Sequence, residues 1–152
     1  MKLYPNDVGI KAILSPEQTV AMTIWAEARA ETIEGEIAVG CVIRNRLMRP
    51  KRFSSTWKEV CLAKWQFSCW IPQGGVANYQ MLMTRCEQAL TGIIPWPRQC
   101  MWIADGIIGG DIEDRVSGAD HYFASWMKVW PKWANGLTPV AVIGVHRFYK
   151  VP

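Results

Sequence analysis

Glu27 stands where helical periodicity expects an apolar side chain. With Val20 and Ile24 it is spaced i, i+4, i+7, so its carboxyl shares the apolar stripe of a helix. Desolvation raises the pKa of a carboxyl in such a site, and Glu31, four residues on, adds like-charge pressure if the helix extends that far. Both effects keep Glu27 protonated near neutral pH, the state a general acid needs in order to give a proton to a glycosidic oxygen. The structural reading makes Glu27 the anion of a buried pair with Arg29, Arg44 or Arg46, and spacing alone leaves it open. A second set of parts is Cys69 with His121 or His146, the thiol and imidazole of a cysteine peptidase or amidase. No cysteine here, however, follows a pattern of activation at a helix start. Two histidines and scattered acids give no ligand spacing such as H-x-x-x-H, so no metal and no cofactor are expected.

The elements that must position these groups are mostly helical. Ser15-Pro16-Glu17-Gln18 holds an N-cap, a proline at the first helical position and the glutamine that closes a capping box, and the helix is expected to run to about Ala30. A second helix is expected from near Thr32, with Glu34 and Glu36 in its first turn, until Pro50 forbids continuation. Thr56-Trp57-Lys58-Glu59 repeats the capping pattern for a short helix. Asn78 is expected to cap another, with Leu82, Cys86, Ala89 and Leu90 as its stripe, stopped by Gly92. Residues 65–75 have no helical period. Pro97 opens a helix expected to end near Asp105-Gly106, and residues 106–118 read as a mobile surface loop. Residues 140–149 form a short strand pair bent at Gly144. The expected fold is α+β, mainly helical, with a small β element, and residues 1–152 are expected to form one domain.

Composition sets outer limits. Hydrophobic residues make up 50% and charged residues 20% of 152, an ordinary globular balance. The longest apolar runs fall far short of the roughly 18 residues of a membrane span, and Asp7 and Lys11 interrupt the first 15 residues where a secretory signal would lie. The expectation is synthesis in the cytoplasm without a signal peptide, no membrane insertion and a monomer. The 17 Lys and Arg against 13 Asp and Glu give a surplus too small for a dedicated nucleic-acid binder. Arg44, Arg46, Arg49, Lys51 and Arg52 make a local positive patch, read either as a solvated helix end or as an envelope-anchoring surface. Five cysteines leave one disulfide, Cys61 to Cys69, open to a protein outside the reducing cytosol. A non-enzymatic glycan-binding or envelope protein fits the patch and the 9 tryptophans if Glu27 is merely paired.

Ordered segments narrow the choice. Ile24-Trp25-Ala26-Glu27-Ala28-Arg29-Ala30-Glu31, Glu34-Gly35-Glu36-Ile37-Ala38-Val39 and Arg44-Asn45-Arg46 are followed by Gln66-Phe67-Ser68-Cys69-Trp70 and Asp120-His121-Tyr122-Phe123-Ala124. Pro131-Lys132-Trp133-Ala134 and Gly144-Val145-His146-Arg147-Phe148-Tyr149 close the series. Together, over residues 23–149, they resemble the spore-cortex-lytic-enzyme-like cell wall hydrolases. Two positions depart from that pattern: Ala30 stands for a glycine, and Asp120 for a threonine beside His121.

The resemblance implies a lysozyme-like fold related to lytic transglycosylases, with Glu27 as the single catalytic acid, the position reached independently from the stripe. The implied substrate is the peptidoglycan glycan strand at its N-acetylmuramic acid to N-acetylglucosamine bond. A lytic transglycosylase would leave 1,6-anhydromuramic ends, whereas a hydrolytic muramidase would want a second carboxylate. Glu31 and Glu36 are the candidates, and helix spacing sets Glu31 beside Glu27 on one face. Gln66, Phe67, Ser68, His121 and Tyr122 are implied substrate-binding residues, Tyr122 donating to a sugar oxygen or to Glu27, while His146 and Arg147 read as structural, His146 with a backbone partner. Trp25, Trp65 and Trp70 are expected to line the saccharide groove. Trp57, Trp96 and Trp102 are expected to pack in the core, as are Trp126, Trp130 and Trp133 on one helical stripe. The setting that fits is a phage endolysin that reaches the wall after a holin opens the inner membrane.

Overall fold

The computed structural model describes residues 7–152, so the segment weighed as a signal lies in part outside the described residues. Six helices, α1 (Asp7–Ile13), α2 (Pro16–Ala28), α3 (Ile33–Leu47), α4 (Trp57–Leu62), α5 (Val76–Leu90) and α6 (Arg98–Gly109), precede a small sheet. Its strands β1 (His121–Ala124), β2 (Ala141–Ile143) and β3 (His146–Tyr149) are antiparallel in the order β1-β3-β2. This is the mainly helical α+β architecture expected.

The centre is α2. Ser15 Oγ accepts the Gln18 N–H at 3.0 Å and Gln18 Oε1 accepts the Ser15 N–H at 2.9 Å, closing the box that starts it. Val20, Ala21, Met22 and Ile24 are fully buried, because α3, α4, α5 and α6 all pack on this helix. It is therefore apolar nearly all round rather than striped. Its two buried threonines turn back on the helix, Thr19 to the Ser15 carbonyl at 2.8 Å and Thr23 to the Thr19 carbonyl at 2.7 Å. At Gly40 a Cβ would come within 2.9 Å of Ile107 Cγ1, so the missing side chain lets α3 and α6 approach closely.

Several boundaries differ from the local reading. Helix α2 ends at Ala28, which turns Glu31 away from Glu27. Helix α5 starts at Val76 with Gly75 as its cap, and Asn78 instead accepts a hydrogen bond from Arg29 at 3.0 Å. Helix α6 continues through Asp105-Gly106 until Gly110 takes a left-handed φ of +81°. The segment after it is anchored rather than mobile: Ile112, Val116 and Ala119 are buried, and the Asp114 carboxylate accepts the N–H groups of Val116 and Gly118. Trp126, Trp130 and Trp133 share no helix. Pro131 bars the residue before it from helical geometry and can donate no backbone bond, and only a 3₁₀ turn, Lys132–Ala134, forms there. Trp126 is 74% exposed, Trp130 lies beneath the Arg147 guanidinium at 4.9 Å, and Trp102, expected in the core, is 61% exposed. Trp57 and Trp96 do pack against the core.

The sheet has two dressed faces. Tyr122 pairs with Phe148 and His121 with Tyr149 in register. Phe148 and Tyr122 join the helical core, while Phe123 and Tyr149 form a second cluster with Trp133, Ala134 and Val151. The bend expected at Gly144 is a two-residue turn between Ile143 and His146, with Gly144 at φ +58° in its first position. All five cysteines are free and buried, so Cys61 and Cys69 form no disulfide.

Candidate active site

Glu27 lies in the last turn of α2, and the structure packs β1 over it. Tyr122 donates its hydroxyl proton to Glu27 Oε1 at 2.6 Å, and the Cys69 thiol makes a further hydrogen bond to the same carboxyl. Burial pushes the Glu27 carboxyl above its ordinary range, and the bonds from Tyr122 and Cys69 and the charge of Arg46 offset that only in part. Glu31 plays no part in this, because the helix ends before it. Burial and the nearby carboxyl also push the Tyr122 phenol well up, so it is a neutral donor.

The three arginines of the ion-pair reading make their hydrogen bonds elsewhere. Arg29 reaches Asn78 and covers the Trp25 ring at 4.8 Å. Arg44 donates to the Ile112 carbonyl at 2.6 Å. Arg46 is buried, donating through Nε to the Asp120 carbonyl at 2.8 Å and through Nη1 to the Gln66 carbonyl at 3.2 Å, with its guanidinium over the Phe67 ring at 4.7 Å. Glu27 thus feels Arg46 as a charge without a direct salt bridge. The positive patch dissolves in the same way: Arg49 bonds Asp120, and Arg52 bonds the carbonyls of Val151 and Pro152. These arginines bond the protein's own acceptors, while Lys51 and Arg52 remain exposed.

A cleft of about 470 Å³ opens over this region, lined by Arg46, Arg52, Phe53, Trp65, Gln66, His121, Tyr122 and Trp133. Of the residues singled out in the sequence, Gln66, His121 and Tyr122 meet there, and Tyr122 connects the cleft wall to Glu27. Phe67 does not: it is 2% exposed and its ring faces Arg46. Ser68 is exposed outside the lining, on the 3₁₀ turn Ser68–Trp70. Trp70 is 1% exposed and donates Nε1–H to Thr23 Oγ1 at 2.9 Å, which places it in the core rather than the groove. Trp65 does line the cleft, 58% exposed and held at φ +65°, a strained conformation for a non-glycine residue of the kind that gathers at functional sites. The sequence reading does not single out Arg46, Arg52, Phe53 or Trp133 as cleft residues, although Arg46 and Trp133 lie within the resembling segments.

The remaining candidates are occupied. Oε1 of Glu31 faces Nδ1 of His146 at 3.4 Å, so His146 meets a carboxylate there and not the expected backbone oxygen, and its ring packs edge-on against Tyr122 at 5.1 Å. Glu36 accepts from Gln99 and from the Cys100 thiol. Burial pushes the Cys69 thiol well above its usual range, and its neighbour is the Glu27 carboxyl. Both features oppose the thiolate that a nucleophile requires. Among the described residues no group of three or more His, Cys, Asp or Glu is placed to hold a metal ion, and no helix is long and apolar enough to cross a membrane.

A central helix whose half-buried acid is bonded by a cleft-lining tyrosine of a small sheet gives a lysozyme-like fold. The structure matches the catalytic domain of the Bacillus cereus SleB protein with a TM-score of 0.66 at 24% identity, over 89% of both chains. It also matches the catalytic domain of the germination-specific lytic transglycosylase SleB from Bacillus anthracis, with a TM-score of 0.64 at 25% identity, over 89% of this chain and 93% of that one. No curated protein matches the chain. The family model described as cell wall hydrolase matches residues 30–149, and the chain belongs to that family. The match begins just after Glu27. The protein is a cell-wall lytic enzyme.

Proposed function

We propose that the chain is a peptidoglycan lytic transglycosylase that cleaves the β-1,4 bond between N-acetylmuramic acid and N-acetylglucosamine, with Glu27 as its only catalytic carboxyl. The observation that carries this is the half-buried Glu27 carboxyl, bonded by Tyr122, which itself lines the cleft. Desolvation favours the protonated acid, and the proton goes to the linking oxygen as the bond to muramic C1 breaks and the N-acetylglucosamine hydroxyl departs. Charge at C1 is met by the 2-acetamido oxygen of the same sugar. Glu27, now an anion braced by the Tyr122 hydroxyl, takes the proton of the muramic C6 hydroxyl. That oxygen closes on C1 as the 1,6-anhydro ring, and Glu27 regains its proton without water.

Two further observations favour ring closure over hydrolysis. Glu31 lies 3.4 Å from His146, Glu36 accepts from Gln99 and Cys100, and neither carboxyl belongs to the cleft lining. The Bacillus anthracis relative is itself named a lytic transglycosylase. Trp65 and Trp133 offer ring faces to sugars, and Gln66 and His121 polar contacts. Mass analysis of digested sacculi tests the outcome: anhydromuramic ends are expected, and reducing muramic ends would make the enzyme a muramidase.

Its place of action is the wall, and the setting we favour is endolysin-type lysis after a holin opens the inner membrane. Expression in a Gram-negative cell is then expected to leave the culture intact until the membrane is permeabilised. Lysis on expression alone rejects that setting without touching the chemistry.

A further inference from the structure

Asp120, which stands where the resembling family has threonine, has no solvent exposure and both its carboxylate oxygens are engaged. Oδ2 accepts from Arg49 Nη1, and Oδ1 accepts the Val151 N–H at 3.1 Å and lies 2.8 Å from His121 Nδ1. An ionised carboxylate only accepts, so the proton of this bond sits on Nδ1 and the lone pair of the neutral ring sits on Nε2. The ring is packed by Trp133 at 4.8 Å and Phe53 at 6.0 Å and belongs to the cleft lining, and Nε2 lies on the ring edge away from the Asp120 bond. The guanidinium groups of Arg46 and Arg52 in the same wall can only donate, and Tyr122 commits its proton to Glu27.

We propose that Asp120 is a positioning residue that fixes His121 in its Nδ1–H tautomer, so that Nε2 serves as an acceptor for a sugar hydroxyl in a cleft wall rich in donors. The inference rests on the glycan reading of the cleft and assigns the polarity of one contact within it. Burial and the positive charges of Arg46 and Arg52 lower the imidazole pKa more than Asp120 raises it, so the acceptor persists through neutral pH. It disappears on acidification, when Nε2 gains a proton. Tyr122 and Arg49 are the other titratable or charged groups beside the pair, and the raised Tyr122 phenol stays neutral over that range.

The test is nitrogen NMR of the enzyme labelled in its two histidines, with His121 assigned by its loss in His121→Gln. Wild type is expected to show an unprotonated Nε2 and a protonated Nδ1 at neutral pH. In Asp120→Asn the amide can turn its N–H to Nδ1, and the proton is expected at Nε2. Losing one acceptor is expected to raise KM for glycan strands about tenfold in Asp120→Asn and His121→Ala with kcat within about twofold. In His121→Gln, which keeps an acceptor oxygen and leaves Asp120 untouched, part of the loss is expected to be recovered and the acid-side rise in KM to vanish. A protonated Nε2 in wild type, or an unchanged KM in His121→Ala, overturns the proposal. The tautomer is read without substrate, so a failure of the glycan reading, seen as full activity in Glu27→Gln, is distinguishable from a failure here.

Discussion

The Tyr122 hydroxyl meets Glu27 Oε1 at 2.6 Å, joining residues 95 apart in the chain. The bond ties the end of the central helix to the first strand and lies between the cleft and the acid. Because it favours the ionised carboxyl, it limits how far burial can raise the Glu27 pKa.

Tyr122→Phe removes that restraint. The Glu27 pKa is expected to rise further, carrying the alkaline limb of kcat/KM to higher pH because the acid stays protonated longer. A limb that stays in place or moves down, read from turbidity loss of purified peptidoglycan across pH, contradicts the assignment.

Glu27→Gln is expected to reduce lysis by about 10²–10⁴-fold while binding to sacculi persists. It also has a stability signature. The folded pKa lies above the unfolded one, so the contribution of this group to stability is fullest below about pH 4.3. Stability is lost as pH rises through the folded value. The glutamine carries no such loss, so the Tm of the variant relative to wild type is expected to grow from pH 4 upward.

Asp120 carries the opposite sign. Burial alone would raise its carboxyl, but hydrogen bonds from His121, Val151 and Arg49 outweigh that and hold it below the usual range. Its stabilisation is complete above about pH 3.9 and is lost as pH falls through the folded value. Asp120→Ala is expected to cost about 3 kcal/mol at pH 7 by urea unfolding, with the gap to wild type closing on acidification.

Cys69→Ser keeps a donor beside Glu27 and is expected to retain activity within about tenfold, and brief alkylation of the folded enzyme is expected to leave activity unchanged because the thiol is buried. Abolished lysis in Cys69→Ser with the fold intact would revive a thiol nucleophile.

Two tryptophans separate wall from core. Trp65→Ala is expected to raise KM for glycan with little change in Tm. Trp70→Phe, which removes the N–H bond to Thr23 and leaves a smaller ring in the core, is expected to lower stability by about 1–3 kcal/mol and leave KM alone. The reverse pattern would exchange their roles.

What the sequence determined by itself was local. The Ser15–Gln18 box, the Thr32 and Thr56 caps and the Gly144 turn are made by residues within four of one another, so their partners stand in the same short stretch of text. Glu27 was legible because a charge on an apolar stripe breaks the pattern around it, and the ordered segments carried the family. Tertiary structure decided what each polar group meets. Arg46 reads as one charge in a basic run, yet it is buried because its acceptors come from Gln66 and Asp120, 20 and 74 residues away. Phe67 lies beneath that guanidinium, outside the sugar cleft, and Trp70 points inward because Thr23, 47 residues back, can take its N–H. Glu31 leaves the helix face of Glu27 because α2 stops at Ala28, within reach of a hairpin that brings His146 to it. Burial and hydrogen bonding are properties of the packed surroundings, and surroundings assembled from distant segments cannot be read along the chain.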